Sequence, residues 1–269
     1  MIEVEHCLPD ARLMPYIKMY FWGRDMNPPL SQRVVPNGEM GLMFYRDCNA
    51  SLDGVKQMHA CVKGQSVRYH DIVSHGGIEI VCVHFTVLGA RLILGTPLYE
   101  FYEDIVELSD MDDVDLKMLG ERVLQTENHR ECWSIFDSFF LHRLMTSKVN
   151  ELNIRRLHRA ISYSRRQVNE ASVDRLAEKT CLCTRQFRRL FSDMVGLSPK
   201  DYLRVQRYHT ALQDLKCNRG NAALSEIAWR NGYYDLSHLY ADFLRISGYA
   251  PKSLLEISHN DCDSVGWRI

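Results

Sequence analysis

Between positions 184 and 194 the chain sets Thr184, Arg185, Gln186, Arg188, Arg189 and Ser192 around an apolar group of Phe187, Leu190, Phe191 and Met194. At about 100° per residue the apolar four gather on one side of a helix. Arg185, Arg189 and Ser192 then face the opposite way, flanked by Gln186 and Arg188. Guanidinium groups pair bidentately with guanine edges or phosphates, and a glutamine amide suits adenine. Taken alone, an arginine face is as often a solvated helix surface, so its chemistry depends on what holds the helix.

That holder is a repeat. Ile227-Ala228 repeats Leu176-Ala177 at an offset of 51, and Leu239, Phe243, Gly248 and Pro251 repeat Phe187, Phe191, Gly196 and Pro199 at 52, so the second turn carries one extra residue. Each unit reads as a short apolar helix, a turn and a second helix, the arrangement that places its second helix in a DNA major groove. Ser172 is a plausible N-cap for the first unit. In the second unit Leu239 and Phe243 point inward, so Ser237, Ala241 and Leu244 face out, with His238 and Tyr240 at the sides and Tyr234 and Asp235 at the helix start. This face is nearly uncharged. Anchoring on phosphate is therefore expected from the first unit and from Arg204, Arg207 and Arg230, with the second helix adding hydrogen bonds or thymine-methyl contacts.

Between the units, Ser198-Pro199-Lys200-Asp201 is a helix start with a capping serine, proline at the first helical position and aspartate placed to complete a capping box. The helix that follows, through Tyr202, Val205, Ala211, Leu212 and Leu215, is long enough to be a rigid spacer. Two groove-reading helices held this way should enter major-groove segments about one DNA turn apart. Charge supports the assignment. The formal net charge is −1, yet residues 1–150 hold 14 Lys and Arg against 21 Asp and Glu, while residues 151–257 hold 18 against 11. Only the basic C-terminal part is suited to a polyanion.

The run Ser172-Val173, Leu176-Ala177, Phe187 to Phe191, Gly196 to Pro199 and Tyr202-Leu203, followed by Ile227-Ala228, Gly232-Tyr233, Ser237 to Leu239, Phe243 and Gly248 to Pro251, resembles the DNA-binding domain of AraC/XylS-type bacterial transcription regulators. The resemblance implies seven helices carrying two helix-turn-helix units, and a transcription activator as the function. It departs from the family pattern at Leu239, where many relatives carry Phe, and at Ala241 and near Leu244, where they carry basic residues.

Residues 1–110 are punctuated by Pro28-Pro29, Pro36-Asn37-Gly38, Asp53-Gly54, Lys63-Gly64 and Gly76-Gly77 between short runs of Val, Ile and aromatics, which predicts a β-rich domain. Gly41 to Tyr45 and Ile78 to Val87 are the clearest strands. In the latter Val81, Val83, Phe85 and Val87 share one face and Ile80, Cys82 and His84 the other, as in a strand inside a barrel or sandwich. Leu13 to Trp22, Val35 to Glu39 and His84 to Leu98 look like the cupin-like sensory domains of some AraC-type regulators. Residues 111–150 follow a helical period, Leu116, Leu119 and Val123, then Trp133, Phe136, Phe140 and Leu144.

The expected architecture is α+β: a β-rich, cupin-like barrel with a helical pair, then an all-α domain with two helix-turn-helix units at 151–257 and a tail at 258–269. Trp22, Phe44 and His84 are candidate effector-pocket residues, with ordinary core packing as the competing role. Trp133, Phe136 and Phe140 are candidates for a homodimer face, against packing on the barrel. His70, His75 and His84 form no His-x-His pair, and nine scattered cysteines without CxxC indicate neither disulfides nor zinc. No catalytic residue, metal or cofactor is assigned. The rival reading is a cupin-type or DNA-repair enzyme with an appended DNA-binding unit. Partners expected are double-stranded promoter DNA, RNA polymerase and a second copy of the chain, with a small effector implied by the sensory resemblance. No signal peptide or membrane-spanning run is present, so a cytoplasmic location is expected.

Overall fold

The computed structural model describes residues 3–26, 30–46, 50–56, 59–217 and 223–254. Pro28-Pro29, Cys48, Cys262 and the 258–269 tail lie outside the described residues. The described residues hold ten strands: β1 (Glu3–Cys7), β2 (Ile17–Asp25), β3 (Leu30–Val34), β4 (Gly41–Arg46), β5 (Ala50–Leu52), β6 (Val55–Lys56), β7 (Ala60–Lys63), β8 (His70–Ser74), β9 (Ile78–Phe85) and, after a first helix, β10 (Ile105–Glu107). They pair antiparallel into a six-stranded sheet of order β1-β2-β9-β4-β7-β10 and a four-stranded sheet of order β3-β8-β5-β6. The β-rich domain is thus two facing sheets. Phe21, Tyr45, Cys61, Ile72, Ile78, Ile80 and Cys82 fill the space between them.

The other face of the large sheet is covered by α1 (Gly89–Leu94), α2 (Val114–Gln125) and α3 (His129–Thr146). Tyr20, Trp22, Phe44, Val81, Val83 and Phe85 meet Leu116, Val123, Phe136 and Phe140 there. A strand's side chains alternate between faces, so β9, paired on both sides by β2 and β4, is apolar on both. The two-sided apolar pattern read from the sequence has this cause. Asp113 and Asn128 cap α2 and α3 by accepting backbone N–H groups.

The C-terminal part is all helical: α4 (Glu151–Arg166), α5 (Val173–Thr180), α6 (Thr184–Val195), α7 (Pro199–Cys217), α8 (Leu224–Arg230) and α9 (Leu236–Ser247). Two cores organise it. Leu157, Leu176, Ala177, Phe187, Phe191 and Met194 build the first unit, and Tyr208, Ile227, Ala228, Leu239, Phe243 and Ile246 the second. Gly196 and Gly248 end α6 and α9 in the left-handed conformation, at φ 85 and φ 75, which explains why glycine recurs at matched places in the repeat. At a rise of about 1.5 Å per residue, α7 is about 28 Å long and spans both cores. Its start is capped as expected: the Ser198 hydroxyl donates to Asp201 Oδ2 at 2.7 Å and accepts from the Asp201 N–H at 3.1 Å.

Candidate nucleic-acid interface

The two second helices, α6 and α9, present their outer faces to solvent. On α6, Phe187, Phe191 and Met194 are buried while Arg185, Gln186, Arg188 and Arg189 are exposed, as the 100° spacing requires. Arg185, Arg188 and Arg189 make no ion pair among the described residues. Their guanidinium groups are free for an external anion. Thr184 and Gln186 have local duties as well: Thr184 Oγ1 donates to Asp174 Oδ1 at 2.9 Å, tying α6 to α5, and Gln186 Oε1 accepts from the Cys183 N–H at 3.4 Å. Ser192 is half-buried further along the helix.

On α9 the exposed positions are Leu236, Ser237, Ala241, Leu244 and Arg245, the last in its final turn, preceded by Tyr234, which is 93% exposed. Asp235 is the N-cap, its Oδ1 accepting from the His238 N–H at 2.7 Å. Its carboxylate thus holds the helix start and carries a charge that repels phosphate. Tyr240 leans back on the second core, so it turns away from the outer face. His238 lies edge-on to Tyr233 at 5.2 Å with Nε2 3.8 Å from Asp242 Oδ2.

Arg204 and Arg207 are corrections to the expected phosphate anchors. Arg204 Nε is 3.1 Å from Asp242 Oδ1 and its Nη1 3.5 Å from Asp201 Oδ1. The Arg207 guanidinium covers the Tyr233 ring at 5.7 Å. Arg204 thus joins α7 to α9 from the inside, and Arg207 joins α7 to the turn before α9. Asp242 explains why: it is 3% exposed within the inward face of α9, and burial pushes its carboxyl upward while Arg204 and His238 pull it down. The interval of three from Leu239 to Asp242, on the buried side, was the signal that sequence reading missed. Arg230, half-exposed, is paired with Glu226 one turn back. Trp229, 76% exposed at the end of α8, is a surface aromatic near Tyr234 in sequence that periodicity alone did not single out.

Both reading helices are gripped at their C-terminal ends by the β-rich domain. At α6, Gln65 Nε2 donates to the Val195 carbonyl at 2.5 Å and Arg91 Nε to Asp193 Oδ2 at 3.3 Å. Leu98 O lies 3.0 Å from where a Gly196 side chain would begin, so glycine is also needed for close approach. At α9, Arg33 Nη1 donates to the Ser247 carbonyl at 3.4 Å, with its guanidinium 3.8 Å from the Tyr69 ring centre and 4.6 Å from that of Tyr249. Asp71 holds the same arginine bidentately at 2.7 and 2.8 Å. A cation at a helix C-terminus also meets the negative end of the macrodipole. Nearby, His209 Nε2 donates to the Pro36 carbonyl at 2.5 Å, and Val35 packs into the second unit's core.

The structure separates the three candidate effector residues. Trp22 and Phe44 stand on the helix-covered face of the large sheet: Trp22 donates to Glu79 Oε1 at 3.1 Å and stacks on His129 at 4.1 Å, and Phe44 is fully buried against Phe136. His84 is on the opposite face, lining a cavity between the sheets. Trp22 and Phe44 both pair with Val81, three residues from His84 on β9, so they point to the opposite face from His84 and the three cannot share a pocket, which corrects the grouping. Burial, reinforced by Lys18 and Lys63, pushes His84 down to about 4, so its imidazole is neutral near pH 7. Trp133, Phe136 and Phe140 are likewise corrected as a dimer face. They are at most 9% exposed and stack around Tyr20 within the core.

Residues 176–257 match a helix-turn-helix domain family, and residues 5–107 match a domain of unknown function, DUF6597. No curated protein matches the chain. Among solved structures it is similar to ToxT from Vibrio cholerae strain SCE256 with unsaturated fatty acid bound, at 11% identity over 86% of this chain and 96% of that one, with a TM-score of 0.43. The DNA-binding domain of the global transcriptional factor AdpA, in complex with a target DNA, aligns at 23% identity over 39% of this chain and 95% of that one, TM-score 0.36. An AraC-type regulator from Chromobacterium violaceum aligns at 21% identity over 42% and 99%, TM-score 0.37. The C-terminal part carries a helix-turn-helix domain that follows a β-rich N-terminal domain.

Proposed function

We propose that the chain is a sequence-specific transcription activator that docks α6 and α9 on promoter DNA and contacts RNA polymerase. The observation that carries the reading is the unpaired triad Arg185, Arg188 and Arg189 on the outer face of α6, in a chain whose other candidate anchors are committed internally. The first unit supplies phosphate and guanine contacts, and the second contributes Tyr234, Ser237 and His238. The β-rich domain senses a small effector and, through its grips on both helix ends, sets how the units stand on DNA. A homodimer in this reading uses surface other than Trp133, Phe136 and Phe140. The protein works in the cytoplasm, where its DNA lies; among the described residues no helix is long and apolar enough to cross a membrane.

The enzyme reading is disfavoured by the thiols: burial raises Cys82 and Cys132, opposite to what an activated nucleophile needs. The test is promoter selection followed by mobility shifts with the full chain. Arg189→Ala should weaken binding to the selected site and make the slope of log affinity against log salt less negative by about 1. A flat salt dependence with unchanged affinity overturns the proposal.

A further inference from the structure

The cavity between the two sheets holds about 100 Å³, room for a molecule of roughly 7 to 10 heavy atoms if each takes about the space of one enclosed water. Its wall is mostly apolar, with Met43, Leu52, Ile72, Ile80 and Ile105 prominent, while Asn37, Glu39 and Tyr45 also line it. Two polar side chains enter it in one row across the large sheet. Gly41 on β4 pairs with Lys63 on β7 and with His84 on β9, so the lysine and the histidine flank a residue that has no side chain. Adjacent strands lie about 4.8 Å apart, which puts the two side-chain origins about 10 Å from each other, with the Met43 methyl close over Gly41 between them.

The Lys63 ammonium has no hydrogen bond or ion pair among the described residues. Burial pushes its ammonium down, and the groups that act on it electrostatically are the thiols of Cys61 and Cys82. The acidic residue at the cavity's edge, Glu39, is taken: Lys18 Nζ is 3.3 Å away and Asn37 Nδ2 3.2 Å. A half-buried cation in a mostly apolar cavity, whose Glu39 carboxylate is already held by Lys18 and Asn37, is stabilised by an arriving anion. His84, neutral in this setting, can accept or donate one hydrogen bond at the other end of the row.

We infer that this cavity is the effector site and that its ligand is a small monocarboxylate with an apolar body, its carboxylate on Lys63 and its body among Met43, Ile72 and Ile80. The inference rests on the sensing role proposed above and deepens it. The wall also explains how occupancy reaches the DNA-binding units. Val34, Val35, Asn37 and Glu39 line the cavity, while Val35 packs into the second unit's core and Pro36 accepts from His209. A ligand that presses this segment outward presses directly on α7 and α9.

Calorimetry of the full chain with benzoate and hexanoate, against benzamide and benzylamine as neutral and cationic counterparts, tests the site without DNA. Saturable binding of a carboxylate with a rise in Tm is expected, with benzamide at least about tenfold weaker and benzylamine not bound. Lys63→Met should weaken the carboxylate about tenfold or more and bring it level with the amide. The wild-type ranking needs no variant, so it stands if Lys63→Met fails to fold. No saturable carboxylate binding, or equal binding of amide and carboxylate, overturns the inference. A mobility shift on the same preparation separates the two readings: DNA binding with no carboxylate binding sinks the site alone, and absent DNA binding sinks the regulator.

Discussion

The two helix-turn-helix units share a scaffold and differ in their faces. Phe187, Phe191 and Gly196 in the first occupy the places of Leu239, Phe243 and Gly248 in the second, and both glycines close their helices left-handed. Outside, α6 carries three free arginines, whereas α9 carries Ser237, Ala241 and Leu244 with one arginine, Arg245, in its last turn, and turns Asp242 inward. A duplicated fold conserves what packs, while charge is placed unit by unit. In the first unit charge is spent on the outside, and in the second it is spent on holding the helix to α7.

The largest expected effects probe the shared half of that comparison. Phe187→Ala and Phe243→Ala remove fully buried rings, and each should destabilise its unit by about 3–5 kcal/mol in urea unfolding. Comparable losses support equivalent scaffolds. If one substitution costs less than about 1 kcal/mol while the other costs the full amount, the units are not structurally equivalent.

The outer faces should separate next. Arg189→Ala should cost about 1–3 kcal/mol of affinity for a selected site, and Ser237→Ala less than about 1 kcal/mol. Competition mobility shifts rank the two, and the reverse order would mean that the uncharged helix does most of the holding. Smaller still are the grips. Arg33→Ala removes a cation from the end of α9, and Arg91→Ala a half-buried ion pair from the end of α6, each worth about 1 kcal/mol locally. Hydrogen exchange should quicken at the end of α9 for the first and of α6 for the second. Quickening of both helices by either substitution would show one coupled body in place of two separate attachments.

How much of this was legible in the sequence depends on whether a residue's role is set by its own helix or by a partner far along the chain. Arg185, Arg188 and Arg189 were readable because the 3.6-residue period alone decides which way they point. Ser198 and Asp201 were readable because a cap is local. Trp133, Phe136 and Phe140 showed their apolar stripe but not what covers it, which turned out to be Tyr20, Phe44 and Phe85. Phe44 and His84 could be put on strands, but which faces adjoin in space is fixed only by the β9-β4 pairing. Lys63 was noted as a turn signal beside Gly64; its place across Gly41 from His84 is a register fact that no local pattern holds.

Arg204 is the sharpest case, and it yields the smallest expected effect on DNA. Read from α7 alone it is a basic residue near a DNA-binding helix; in the fold its side chain is 19% exposed and faces Asp242, which is 5% exposed. Counterion release counts only cations that neutralise phosphate, so a guanidinium already turned to a buried carboxylate adds nothing to the salt slope. Arg204→Ala should leave that slope unchanged within error while lowering stability, because the buried Asp242 loses its closest cation. Arg189→Ala should do the opposite, making the slope less negative with little change in stability, since its side chain is exposed and unpaired. The pair of measurements is a crossed test: a changed slope for Arg204→Ala would place that arginine on phosphate and move part of the anchoring from α6 to the spacer helix.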